Sequence, residues 1–89
     1  GFVLETKAWA TKLLRESLAF LSSDEVPYPT PLQRSVLLML KRWGRTDAEM
    51  RADLLASAEL SAWEAGDNPV QQEFAADLRF ELEEYLTTQ

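Results

Sequence analysis

The amino-acid sequence predicts an all-α fold, a compact antiparallel bundle of four helices. Apolar residues recur at intervals of three and four along four segments, which is the spacing of one face of an amphipathic helix. Proline or glycine separates these segments, and three of them open with a helix-capping signal. Most connections are short, which favours antiparallel neighbours. We therefore expect one helical domain over residues 1–89, with helices at about residues 5–21, 31–43, 47–65 and 69–86.

The first helix carries an apolar face and ends before a proline-rich loop. Its apolar positions are Trp9, Leu13, Leu14, Leu18 and Leu21. Residues 22–29 cannot continue the helix, because Pro27 and Pro29 lack an amide hydrogen and bias the residues before them towards extended backbone. This segment is the long loop of the predicted bundle.

The second helix has a complete start signal and a glycine at its end. Thr30 supplies an N-cap, Pro31 occupies the first helical position, and Gln33 completes a capping box. Gly44 can take the left-handed conformation that closes many helices. Residues 36–40 are apolar on every side, so we expect this helix to have several neighbours and to lie at the centre of the bundle.

The third helix begins at a second capping signal, residues 46–49, and is closed by Gly66. Its inward face is predicted to consist of Met50, Leu54, Leu55, Ala58 and Ala62. Leu60 and Trp63 lie towards a second side of this helix. The oligomerisation alternative given below treats them as spare apolar groups for another chain.

The fourth helix opens with Asn68 as N-cap and Pro69 at the first helical position. Its apolar stripe consists of Val70, Phe74, Leu78, Leu82 and Tyr85. Phe80 lies outside this stripe, so we expect its ring to be partly exposed.

The tryptophans are expected in the core, because large aromatic groups bury much apolar area. They are Trp9, Trp43 and Trp63. Trp43 and Trp63 lie near the C-terminal ends of their predicted helices, where a ring can be half exposed.

The composition argues against an enzyme and against a metal site. The chain has no cysteine and no histidine, so it lacks a thiolate nucleophile, the commonest general base and the commonest zinc ligand. A di-metal bundle of the carboxylate class would need Glu-x-x-His motifs. Four serines fall within predicted helices with no base to activate them: Ser17, Ser35, Ser57 and Ser61. We predict no catalytic residue, no metal and no cofactor.

Charge is distributed unevenly along this acidic chain, whose net charge is −6. Residues 52–89 hold one basic and nine acidic side chains. Residues 34–51 hold two acidic side chains and five basic ones, which are Arg34, Lys41, Arg42, Arg45 and Arg51. The corner at residues 43–49 has the outline of a helix-turn-helix, but its second helix begins with Asp47 and Glu49, which would face phosphates unfavourably. We interpret it as a corner between helices and regard nucleic acid as a disfavoured partner.

The strongest candidate site is a line of carboxylates on the fourth helix. Glu73, Asp77, Glu81 and Glu84 recur at spacings of four, four and three residues, which places them along one line of that helix. One interpretation is a solvated face beside the apolar stripe. The functional interpretation is an anionic ridge for a basic partner, with Phe80 as an aromatic anchor among the carboxylates.

Two functions follow from these patterns. The favoured one is a small acidic interaction domain, such as an inhibitor, immunity protein, antitoxin or adaptor, that occupies a protein partner with a basic surface through this ridge. The alternative is a structural or oligomerisation module, a homodimer or a small subunit of an assembly, that buries Leu60, Trp63 and Phe80 against another chain. The sequence has no apolar run long enough to span a bilayer and no basic amphipathic face, so we expect no membrane contact and a cytoplasmic location.

Overall fold

The described part of the computed structural model consists of helices and short connections without a strand, which confirms the predicted all-α class but not the predicted antiparallel arrangement of four helices. It covers residues 2–23 and 29–84, with the backbone alone for residues 2–4. Within it lie five α-helices rather than the predicted four, and a π-helical turn follows the last of them. The elements are α1 (Phe2–Leu21), α2 (Pro31–Thr46), α3 (Ala48–Leu55), α4 (Ala58–Ala65), α5 (Pro69–Arg79) and the π turn (Phe80–Glu84).

Helices α1 and α2 form an antiparallel hairpin. Trp9, near the start of α1, lies beside Trp43 near the end of α2, with ring centroids 6.4 Å apart. At the opposite end of the pair, the Gln33 side chain donates to the backbone carbonyl of Phe20 at 3.3 Å. The predicted capping box is present, because Gln33 Oε1 also accepts from the Thr30 amide and Thr30 Oγ1 accepts from the Gln33 amide. Gln33 thus starts α2 and fastens it to α1, and its polar atoms are satisfied in a nearly fully buried position.

Gly44 does not end α2, which corrects the predicted helix stop. The helix continues to Thr46, and no glycine among the described residues has a positive φ. Gly44 is buried, and a Cβ atom at this position would lie 2.7 Å from Leu82 Cδ2 and 3.2 Å from Leu54 Cδ1. The glycine therefore lets α2 approach the Leu82 and Leu54 side chains closely, and it does not form a left-handed turn.

The predicted third helix is broken into α3 and α4 at Ser57. The Ser57 hydroxyl donates to the Leu54 carbonyl at 2.8 Å and accepts from the Leu60 amide at 3.3 Å, so the serine ends one helix and caps the next. The break reorients α4, and both Leu60 and Trp63 are buried, at 1% and 2% exposure. Trp63 is therefore a core residue, as predicted, and neither side chain is available to another chain as the oligomerisation alternative requires.

The predicted inward face of the third helix is correct only before the break. Met50 and Leu54 are buried and Leu55 is half-buried, whereas Ala58 and Ala62 are exposed. A continuous helix would have kept all five on one side. Gly66 does follow the end of α4, but with extended backbone (φ −83°, ψ −178°) rather than the left-handed conformation.

Helix α5 begins as predicted and then changes its winding. Asn68 Oδ1 accepts from the amides of Val70 and Gln71, at 2.9 and 3.2 Å. The stripe positions Phe74, Leu78 and Leu82 are buried. Their spacing of four residues drifts around an α-helix, which has 3.6 residues per turn, and the wider π turn offsets this drift so that Leu82 still faces the core. Tyr85 and the predicted continuation to residue 86 lie outside the described residues.

Helix α2 contacts α5 and the π turn directly, which a simple antiparallel bundle would not predict for its second and fourth helices. Lys41 Nζ pairs with Asp77 at 3.1 Å and with Glu81 at 3.8 Å, and Arg45 pairs with Glu81 at 3.8 Å. Residue numbers rise together along the two helices, so they run in the same direction. We call these four side chains, Lys41, Arg45, Asp77 and Glu81, the ion-pair ladder. Since α2 also contacts α1 and α3, it lies at the centre of the fold, as predicted.

The tryptophans have three different environments, and the prediction that all lie in the core is wrong for Trp9. Trp9 is 62% exposed, and Trp43 is half-buried. Trp63 is buried against Phe74 and donates its indole N–H to Ser22 Oγ at 2.9 Å. The Gln71 side chain donates to the Ser22 carbonyl at 3.0 Å, so the end of α1 is tied to both α4 and α5. No described helix has the length and apolar character needed to cross a membrane.

Candidate interaction surface

Among the described aromatic residues of the C-terminal half, the most exposed is Phe80, which opens the π turn. It is 56% exposed, as its position outside the apolar stripe predicted. Glu73 and Glu84, at seven residues before and four after, share its side of the helix and are exposed. Ala76, four residues before Phe80, is exposed and has only a small side chain on this side of the helix. We call Glu73, Phe80 and Glu84 the acidic row.

The other two predicted contact residues, Asp77 and Glu81, face α2 instead of standing free. Both belong to the ion-pair ladder, and their side chains are 37% and 21% exposed. The structure therefore divides the predicted ridge into an outward part, the acidic row, and an inward part that joins two helices. This division depends on α2 running beside α5, a contact that the spacing of the carboxylates alone does not indicate.

Arg79 holds the beginning of the π turn, and sequence reasoning missed this role. Its Nε and Nη2 donate to Glu64 Oε2 and Oε1 at 2.6 and 2.7 Å, and its Nη1 donates to Glu83 Oε1 at 2.7 Å. The hydrogen bond from Arg79 lowers the pKa of Glu64, and the bond to Glu64 raises the pKa of Arg79. The sequence does indicate an ion-paired role for Arg79, because it is the one basic residue among nine acidic ones in residues 52–89.

Most of the basic side chains of residues 34–51 have contacts within the chain. Lys41 and Arg45 belong to the ion-pair ladder, and Arg51 Nη1 donates to the Gly44 carbonyl at 2.9 Å, capping the end of α2. Arg34 and Arg42 are exposed and have no ion pair within the described part of the chain. Between them on α2 lies Leu38, which is 44% exposed. We call Arg34, Leu38 and Arg42 the basic row.

The corner between α2 and α3 is tighter than a helix-turn-helix. The two helices share the single residue Asp47, whose carboxylate accepts from the Met50 amide at 3.1 Å. A helix-turn-helix typically has a turn of three or four residues and an N-terminus that can approach phosphates. Here Asp47 occupies that N-terminus, and Thr46 is bonded back to the carbonyls of α2.

A groove of about 440 Å³ lies between α1 and the break that separates α3 from α4. Its floor is apolar, and its rim holds both charges, Arg15 on one side and Asp53 and Glu59 on the other. The remaining lining residues are Thr11, Leu14, Leu18, Ala56, Ser57 and Ala58. Across residues 2–23 and 29–84, no group of three acidic side chains comes together in a way that could hold a metal ion.

A search with this chain finds no matching family model, no matching curated protein and no matching solved structure.

Proposed function

We propose that this chain is a small protein–protein interaction domain that occupies a partner through the acidic row. One observation carries the proposal: the Phe80 ring is 56% exposed, although the buried positions of α5 and the π turn are well filled by Phe74, Leu78 and Leu82. Exposing a phenylalanine to water forgoes the burial energy that such a side chain supplies elsewhere. A partner surface that covers the ring recovers that energy.

The two kinds of side chain in the acidic row have different tasks. Phe80 is the anchor, a flat apolar group that loses its water on binding, as the central residues of interfaces do. Glu73 and Glu84 flank it and attract a basic surface, which speeds association and selects the partner. The acid-rich sequence of residues 52–89 adds to the attraction at long range.

The division of the predicted ridge limits the proposed contact surface to the acidic row. Asp77 and Glu81 are already neutralised in part by Lys41 and Arg45, so a partner gains less from them. Their task is to fix the direction in which the acidic row points. An inhibitor or adaptor of this kind acts by covering its target, so the proposal requires no catalytic group, metal or cofactor.

The alternative function, an oligomerisation module that uses Leu60, Trp63 and Phe80, has less support. Leu60 and Trp63 are core residues, so only Phe80 of that set is accessible to another chain. A nucleic-acid partner also has less support, because three of the five basic side chains of residues 34–51 are bound within the chain.

The proposal is tested by affinity capture from a lysate of the source organism, with the wild-type domain, Phe80→Ala and the double variant Glu73→Lys/Glu84→Lys. Leu32→Ala and Asp67→Lys are matched controls, because Leu32 is 63% exposed at the start of α2 and Asp67 is exposed in the α4–α5 turn. We expect the wild-type domain and both controls to capture a partner protein, and this capture should persist after nuclease treatment. Both acidic-row variants should fail to capture it. A partner that binds all variants equally would refute the acidic row as the contact, and capture that nuclease abolishes would indicate nucleic acid.

A further inference from the structure

The acidic row and the basic row lie on the same outer face of the molecule. Leu38 precedes Lys41 by three residues on α2, and Phe80 follows Asp77 by three residues on α5, so the central residue of each row is rotated by about 60° from the ion-paired position. Lys41 and Asp77 point at each other, and the two helices run in the same direction. The rotation from Lys41 to Leu38 is opposite in sense to the rotation from Asp77 to Phe80. Both rows therefore turn towards the same side of the helix pair, which faces solvent. The ion-pair ladder forms the seam between them.

This face has opposite charges on its two halves and an exposed apolar side chain in each. One half presents Leu38, 44% exposed, between two arginines, and the other presents Phe80, 56% exposed, between two glutamates. The ion pairs among the described residues include neither the arginines nor the glutamates of these rows. The surface is thus complementary to a copy of itself turned by 180°.

We propose that two copies of this chain associate through this face, with the basic row of each against the acidic row of the other. A two-fold axis that lies in the interface and runs parallel to the helices, along the ladder, brings the rows together in this way. Each Phe80 then lies beneath the partner's α2, and each Leu38 beneath the partner's α5. The ladder contributes no repulsion, because its charges are already paired within each copy.

The size of the face sets the strength of the association. The 16 residues of α2 span about 24 Å at 1.5 Å per residue, and two neighbouring helices together are about 20 Å wide, so both copies together bury about 1,000 Å². This lies at the lower end for specific interfaces and is typical of a weak, reversible dimer. We therefore expect dissociation in the micromolar range and a strong dependence on salt.

Self-association goes beyond the proposed function and has a consequence for it. The dimer covers the acidic row that would bind another protein, so a heterologous partner must compete with the second copy. Monomers, whose acidic row is free, then predominate in dilute solution, and dimers predominate at high concentration.

The test is analytical ultracentrifugation of the purified chain, from low micromolar to submillimolar concentration, with two charge-reversed variants. One variant carries Arg34→Glu/Arg42→Glu, which makes both rows acidic, and the other carries Glu73→Arg/Glu84→Arg, which makes both rows basic. We expect the wild type to dimerise, each variant alone to be monomeric, and an equimolar mixture to form a heterodimer, because every contact in the mixture joins opposite charges. Arg15→Glu and Asp53→Arg, on the groove at α1 and α3, are the matched controls and should dimerise like the wild type.

Three outcomes would overturn the inference: a wild-type chain that is monomeric throughout, reversals that leave the dimer intact, or a mixture that stays monomeric while both variants retain a helical circular-dichroism spectrum. These results are separate from the capture experiment. A monomeric domain that still captures a protein through Phe80 would refute self-association alone. A dimer of the expected kind that captures nothing would refute the proposed function alone.

Discussion

Gly44 and Leu82 are in contact across the junction of α2 and the π turn, so closely that a Cβ atom on residue 44 would lie 2.7 Å from Leu82 Cδ2. The contact explains why α2 and α5 can run side by side with their charged residues in reach of one another. It also places the π turn, and therefore Phe80, at a fixed position relative to α2.

We expect Gly44→Ala to destabilise the fold by about 1 kcal/mol, because overpacking a buried contact costs about 2 kcal/mol and the gain in helix propensity offsets about 1 kcal/mol of that cost. Leu82→Ala should cost about 2–5 kcal/mol through the cavity it leaves. The double variant should cost less than the sum, since the alanine methyl group fills part of that cavity. Urea denaturation of the four proteins measures these differences. If Gly44→Ala is neutral or stabilising, the close approach of residue 44 to Leu82 does not restrict the side chain at position 44.

Ser57→Ala distinguishes the observed break from the continuous helix that the sequence predicts. If Ser57 caps α4, its loss costs about 1 kcal/mol of unfolding free energy. In a continuous helix the same change would be stabilising by a few tenths of a kcal/mol, because alanine is the better helix former. Ser61→Ala, at an exposed position inside α4, is the control and should be neutral or slightly stabilising. Equal behaviour of the two serines in thermal unfolding would contradict the cap.

Ser22→Ala removes the acceptor of the Trp63 indole N–H and should cost about 1–3 kcal/mol, because a buried donor loses its partner. The emission of Trp63 should also change, since the hydrogen bond to its ring nitrogen is gone. Ser35→Ala, exposed on α2, is the control and should lie within about 0.5 kcal/mol of the wild type. An unchanged stability would mean that Trp63 holds the end of α1 by packing alone.

The Arg79–Glu64 pair should give a small, pH-dependent stabilisation. Arg79 lowers the pKa of Glu64 in the folded protein, so the contribution is fully present above the unfolded glutamate pKa of about 4.3 and is lost as pH falls through the lower, folded value. Because the Glu64 side chain is 39% exposed, we expect less than about 1 kcal/mol.

The measurement compares the wild type with Glu64→Gln by urea denaturation at a series of pH values. The difference in unfolding free energy should be constant near neutral pH and vanish in acid. Glu73→Gln, at an exposed position of α5, is the matched control for the removal of a glutamate charge outside an ion pair. A difference that grows as the pH falls would have the wrong sign for an ion pair.

The limits of sequence-based prediction are visible at two positions. Ser57 follows residues 48–56, which apart from Asp53 are good helix formers, and only the preference of serine for the N-cap position indicates a new helix start there. The sequence predicts Gly44 as a helix stop, whereas the structure places it at a contact between helices. A glycine in either role can have the same neighbours in the sequence, so the sequence does not distinguish the two. For the candidate site, the spacing of carboxylates predicted one ridge, and the position of α2 divided it.

The sequence by itself determined the all-helical fold, the caps at Thr30 and Asn68, the buried stripe of α5 and the exposure of Phe80. These properties depend on residues three or four positions apart, which the chain specifies directly. Only the tertiary structure decided that α2 runs beside α5, that Leu60 and Trp63 turn inward, and that Asp77 and Glu81 pair with α2. Those features join residues up to 41 positions apart, and their geometry depends on how closely the helices approach one another, which Gly44 assists at the contact with Leu82.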